Sequence, residues 1–154
     1  SLREWPYKNV KPRIIIEEYM EDKENRSLKD YKIFCFNGRP QFILVCSNRE
    51  GINKNTDFFD CEWNKMNFTR KNHKNSKEKI EKPTKLSEML EIASKLSKDI
   101  PFIRVDLYEI NGKIYFGELT FYPSAGFEGF YPDEYDKIIG DMLTLPNEGM
   151  RDKK

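Results

Sequence analysis

Two stretches, YKIFCFNGRPQFILVC (31–46) and FIRVDLYEINGKIYFGELTF (102–121), each set Asn-Gly between two largely apolar runs. Asn-Gly tolerates the positive φ angles of a tight hairpin turn, so each stretch predicts a pair of antiparallel strands. Both arms of the first hairpin are apolar at odd and even positions alike. That pattern predicts a sheet covered on both faces.

Helical periodicity appears twice. After Pro83-Thr84, with Thr84 the candidate cap, Leu86, Met89, Leu90, Ala93 and Leu96 fall on one face. A last helix is expected from Pro132, with Asp133 and Glu134 suited to its N-terminus and Tyr135, Ile138, Ile139, Met142 and Leu143 as its buried stripe. A further strand is expected at Ile14-Ile15-Ile16. The predicted class is α+β, an antiparallel sheet with two packed helices. Residues 1–12 read as a lead-in or linker, 13–146 as one folded unit, and 147–154 as a tail. Within the unit, 47–83 reads as a long polar loop docked by scattered aromatics, its run RKNHKNSKEK (70–79) as a solvated excursion and His73 as plain surface.

Composition narrows the function classes. Lys and Arg number 27 against 26 Asp and Glu, a net charge of +1, so no nucleic-acid partner is expected. Apolar runs such as Phe42 to Cys46 are too short for a transmembrane segment. Cys35, Cys46 and Cys61 show no CxxC spacing and there is one His, which argues against zinc and for a reduced, cytoplasmic protein.

The chemistry concentrates in the second hairpin. Asp106 and Glu118 stand among apolar neighbours, and Pro123, Ser124, Ala125 and Gly126 follow directly. With a strict two-residue Asn111-Gly112 turn, Asp106 pairs with Gly117 and the two carboxylates face opposite ways. A three-residue loop or a one-residue bulge puts them side by side, with Arg104 and Thr120 on the same face. Two adjacent carboxylates need a positive partner. Mg²⁺ completed by water and phosphates is one; pairing of Glu118 with Arg104 or a lysine, with nothing bound, is the other. Removing either acid as its amide is expected to change stability little, because relief of repulsion offsets lost hydrogen bonds.

FIRVDLYEINGKIYFGELTFYP (102–123) resembles the metal-binding hairpin of ATP-grasp enzymes, which runs R-x-D, a turn with Gly, E-x-N and a Pro-Gly loop. IIIEEYM (14–20) resembles the adenine hinge of that superfamily, and KDYKIFCFNGRP (29–40) the strand pair after it. The ELTF ending and the aromatic-acidic FEGFYPDEYD (127–136) are similar to the TupA-like group, associated with cell-surface polysaccharide and teichuronopeptide synthesis.

The resemblance implies the C-terminal lobe of an ATP-grasp fold, with ATP and Mg²⁺ as cofactors. Glu17, Glu18, Tyr19 and Met20 would form the hinge, Asp30 would reach the ribose, and Lys32 would face the phosphates. Asp106, Glu118 and Thr120 would hold metal, Thr120 standing where the family usually has Asn. Arg104 would stabilise the reacting group, and Pro123, Ser124, Ala125 and Gly126 would approach the acceptor, Ser-Ala replacing the usual Gly. The implied reaction joins a carboxylate acceptor, of uronic-acid or amino-acid type, to an amine through an acylphosphate. An upstream lobe of the same full-length protein would complete the site, so this chain alone is expected to be inactive. The alternatives are a degenerate, non-catalytic module and a glycosyltransferase-type protein of capsule synthesis.

Overall fold

The computed structural model describes residues 5–18, 20, 28–47 and 55–146. The hinge residue Tyr19, residues 21–27 and the tail 147–154 lie outside them.

Both hairpins form. The first gives β1 (Asp30–Phe36) and β2 (Arg39–Ser47), the second β5 (Phe102–Ile110) and β6 (Lys113–Thr120). All four turn residues, Asn37, Gly38, Asn111 and Gly112, carry positive φ. β1 and β5 pair antiparallel in the middle, which joins the hairpins into one sheet. With β3 (Asn55–Asp60) on the far edge, the sheet is five-stranded and antiparallel, in the order β3-β2-β1-β5-β6.

Each face has its own cover, as alternation along buried strands requires. On one face Ile33, Cys35, Ile43, Val45, Ile103 and Val105 pack under α1 (Leu86–Leu96) through Leu86, Met89 and Ala93. On the other, Phe34, Phe36, Phe42, Leu44 and Phe58 meet Phe68 and Ile139 of α2 (Glu134–Gly140). A small two-stranded ribbon, β4 (Thr69–Arg70) with β7 (Phe130–Tyr131), closes this second layer. The α+β class with two packed helices is thus the observed architecture.

Several expectations change. Residues 11–18 form no strand, and Ile14 and Ile16 are 94% and 91% exposed. The sheet edges are β3 and β6, so this segment finds no ladder among the described residues. The polar stretch 47–83 contains an edge strand whose Phe58 and Phe59 are core residues. Asp57, fully buried there, is held by Lys65 Nζ at 2.6 Å and by the Ser76 amide at 2.9 Å.

Thr84 does not cap α1. Its hydroxyl donates to Glu109 of β5, which also accepts the Lys85 amide at 3.3 Å. Leu96 is exposed and Ser97 is buried in its stead. α2 begins at Glu134, two residues later than expected, and Ile138 points to solvent.

The lead-in is pinned to the sheet. Tyr7 donates its hydroxyl to the Leu119 carbonyl at 3.2 Å and accepts the Phe121 amide at 2.9 Å, covering part of the β6 edge.

Candidate functional site

β5 and β6 pair through a two-residue turn as far as Leu107–Phe116, then shift by one. The shift absorbs Gly117 as a bulge and aligns Asp106 with Glu118 and Arg104 with Thr120. Glycine is required by space: a Cβ on residue 117 would lie 2.9 Å from the Tyr108 ring and 3.0 Å from the Asp106 carbonyl oxygen. The two carboxylates therefore share one face, the arrangement that a bulge was expected to give.

β1 completes the group, because Lys32 pairs with Asp106 and Phe34 with Arg104. Arg104 Nε donates to Asp106 Oδ1 at 2.7 Å, and its terminal nitrogen donates to Asp106 Oδ2 at 2.8 Å, Glu118 Oε1 at 2.7 Å and Thr120 Oγ1 at 2.9 Å. The Thr120 hydroxyl passes its own proton to Glu118 Oε1 at 2.9 Å. Lys32 Nζ bridges Asp106 at 2.5 Å and Asp30 at 2.7 Å.

Burial separates the two acids. Asp106 is 1% exposed and Glu118 61%, because β6 is the edge strand. Glu118 is consequently not the buried acid that its neighbours suggested; Tyr115 and Phe116 are exposed too. Burial by itself would lower the Lys32 and Arg104 pKa values, but the carboxylates together outweigh it, Asp106 foremost with Asp30 at Lys32 and with Glu118 and Asp30 at Arg104, and each is raised. Both side chains are firmly cationic.

Divalent-metal fit follows from these contacts. Asp30, Asp106 and Glu118 face Lys32 and Arg104, so three negative charges meet two positive and leave a net negative site. Glu118 Oε2 takes no hydrogen bond among the described residues, and it points from an exposed side chain. Among the described residues no three His, Cys, Asp or Glu side chains cluster closely enough to hold a metal alone. A Mg²⁺ ion that draws most of its ligands from water and phosphate needs only one or two carboxylates, and this donor set suits it.

The remaining predicted residues are placed as follows. Glu17 and Glu18 are exposed, and Met20 is half-buried. Asp30 is buried behind Lys32. Pro123–Gly126 forms a tight helical turn in which Ser124 and Ala125 take φ of 50° and 56° and Gly126 80°. Ser and Ala thus hold a left-handed conformation that glycine adopts without strain.

Sequence reading missed Arg70. It was assigned to a solvated run, but its side chain is only 14% exposed and is tied to the 123–128 segment through Glu128 and Ser124. The one available clue was its two-residue spacing from Phe68, a core residue.

No helix among the described residues is long and apolar enough to cross a membrane. A search of curated proteins and a search of solved structures each give no match. The family model described as TupA-like ATPgrasp matches residues 1–144. With the R-x-D and E-x-T strands paired across the bulge and a match over nearly its whole length, the chain belongs to the TupA-like ATP-grasp family.

Proposed function

We infer that the protein is the ATP- and Mg²⁺-binding lobe of a carboxylate–amine ligase acting in cytoplasmic steps of cell-surface polysaccharide synthesis, of capsule or teichuronopeptide type. The observation that carries this reading is the Asp106–Glu118 register pair, brought onto one face by the Gly117 bulge and braced by Arg104 and Lys32. Asp106 and Glu118 would hold Mg²⁺, which would supply neutralisation of triphosphate charge and polarisation of the transferred phosphoryl group. Thr120 orients Glu118 through its hydroxyl.

Lys32 and Arg104 each rest on a carboxylate and offer several donors, so both can exchange part of that contact for phosphate oxygens. Asp30, paired with Lys32 at 2.7 Å, keeps that lysine charged and aimed while it does so. That role suits a buried carboxylate better than direct contact with the ribose. The Glu17–Met20 segment supplies the adenine hinge, and the 123–126 turn approaches the acylphosphate formed from the acceptor. Amine attack on that intermediate yields the amide and phosphate. No protein nucleophile is needed, and the work is positioning and charge neutralisation.

An upstream lobe fits the exposed Ile14, Ile16 and Phe116, which a partner surface would cover. In the complete enzyme, Asp106→Asn and Glu118→Gln are each expected to abolish ATP turnover. This chain alone is expected to fold yet show no ligase or ATPase turnover, with Mg·ATP binding weak in calorimetric titration. Micromolar or tighter Mg·ATP binding would refute the need for a second lobe. Binding of Mg²⁺ sugar nucleotides in place of Mg·ATP would favour the glycosyltransferase alternative, and full turnover in either variant would refute the metal assignment.

A further inference from the structure

The second face of the sheet is divided along its strands. Toward the start of β1 it carries Lys32, beside Asp106 and Glu118; further along β1 it becomes Phe34 and Phe36, beside Phe102. Those three phenylalanines floor a cavity of about 900 Å³ walled by the 123–126 turn and by α2. Its lining side chains are apolar apart from the Tyr122 hydroxyl and two carboxylates, Glu128 and Asp136. Asp136 is committed to structure, since its Oδ1 accepts the Phe130 amide at 2.7 Å. Glu128 is committed to Arg70.

The Arg70 guanidinium pairs with Glu128 Oε2 and reaches Ser124 Oγ at 3.4 Å. Ser124 donates to the same Glu128 oxygen at 2.5 Å. Burial lowers the Arg70 pKa, and the positive charge of Arg104 adds to that effect while Glu128 and Asp106 oppose it. Two guanidinium groups thus act within one electrostatic neighbourhood, one on the metal hairpin and one behind the cavity wall, paired with its Glu128. A guanidinium fork matches a carboxylate in shape and charge. A partly buried ion pair beside a cavity is a poor source of stability, because desolvation offsets much of the attraction.

The geometry points to Arg70 as the residue that receives the acceptor's carboxylate, with the acceptor's body in the apolar cavity and Glu128 as the internal carboxylate that it displaces. The inference rests on the ligase reading above, which supplies a carboxylate substrate. The cavity floor meets the metal hairpin at Phe34, the register partner of Arg104. His73 Nε2, 3.6 Å from Glu128 Oε1, gives the displaced glutamate a neighbouring donor. The acceptor class is a carboxylate whose body has an apolar face, such as a uronic acid.

The test is titration of this chain with D-glucuronate, read from the arginine Nε–Hε signals in ¹⁵N-labelled protein, with Arg70→Lys assigning the Arg70 signal. Wild type is expected to show a saturable shift at Arg70. Glu128→Gln should tighten the dissociation constant about tenfold, since an internal competitor that holds the site most of the time has been removed. Arg70→Gln should weaken it at least as much. If Arg70→Gln melts early because Glu128 is left unpaired, the double variant Arg70→Gln/Glu128→Gln replaces it and must also bind weakly. Unchanged or weaker binding in Glu128→Gln, or retained binding in the Arg70 variants, overturns the inference. Turnover of Mg·ATP by the complete enzyme is a separate readout: its loss in Asp106→Asn supports the ligase reading whichever way the glucuronate titration falls.

Discussion

Asp106 and Glu118 are register neighbours with the same charge and opposite surroundings. Asp106 is buried and takes hydrogen bonds from both Arg104 and Lys32; Glu118 stands on the edge strand with one oxygen open among the described residues. Sequence reasoning treated them alike, through mutual repulsion. The structure separates them. Asp106→Asn leaves buried Arg104 and half-buried Lys32 short of a counter-charge and is expected to cost about 3–5 kcal/mol, whereas Glu118→Gln at an exposed site should cost about 1 kcal/mol or less. Urea midpoints of the two variants check this; equal, small losses would mean that Arg104 and Lys32 do not depend on Asp106.

Cys35 gives a pH signature at the same scale. Burial under α1 pushes its thiol up to about 11, with Sγ facing the Ile33 and Ala93 carbonyls. The unfolded thiol ionises near about 8.5, so between the two values the folded state holds a proton that the unfolded state releases. Stability is therefore expected to fall as pH rises from about 9 to 11, by up to about 3 kcal/mol. Lys32 does not account for the early part of this fall: its raised pKa leaves its contribution intact until pH reaches the unfolded lysine value, about 10.4, above which that contribution is lost as well. Denaturation curves across this range should be flatter for Cys35→Ala than for wild type.

At the scale of elements, the site is made by one irregular residue in one strand. Without the bulge, β6 would present Gly117 to Asp106 and turn Glu118 away. Gly117→Ala forces a methyl group against backbone and the Tyr108 ring, an overpacking worth about 1–3 kcal/mol. The bulge is expected to open, separating Glu118 from Arg104. The readout is paired: a lower melting temperature, and loss of the Arg104 Nε–Hε perturbation that Glu118→Gln produces in the parent. Helix α1 shows a second dependence between elements, since its first turn is served by Glu109 from β5 rather than by its own Thr84.

The whole molecule is a sheet with two covers of different kinds. α1 covers one face continuously; α2 and the β4–β7 ribbon cover only the apolar part of the other, and the polar part carries the site. Phe58 lies at the centre of the second cover, edge-on to Phe34, Phe42 and Phe130 and tilted 4.4 Å from Phe68. Phe58→Ala should therefore cost about 3–5 kcal/mol, and a probe on α1 and a probe on α2 should report the same unfolding midpoint. A cost near zero would mean that 55–60 is the docked loop suggested by its composition.

Local chemistry was enough for the hairpins, for the face of α1 and for the class of fold, because Asn-Gly turns and periodic apolar residues act over a few neighbours. The R-x-D and E-x-T residues were legible for the same reason, although their facing depended on a bulge that the pattern left open. Asn-Thr-Asp-Phe-Phe-Asp (55–60) has neither alternation nor a turn, and its buried Asp57 is tolerable only because Lys65 and the Ser76 amide reach it from elsewhere in the chain. Arg70 was hidden likewise, its partners lying more than fifty residues away on a turn whose strained φ angles no residue type announces. Ile14-Ile15-Ile16 shows the reverse case: strong strand character, yet paired with neither edge strand among the described residues. Propensity acts along the chain, whereas burial of a charge and the partner of a strand are settled by contacts between distant segments, and those exist only in the folded molecule.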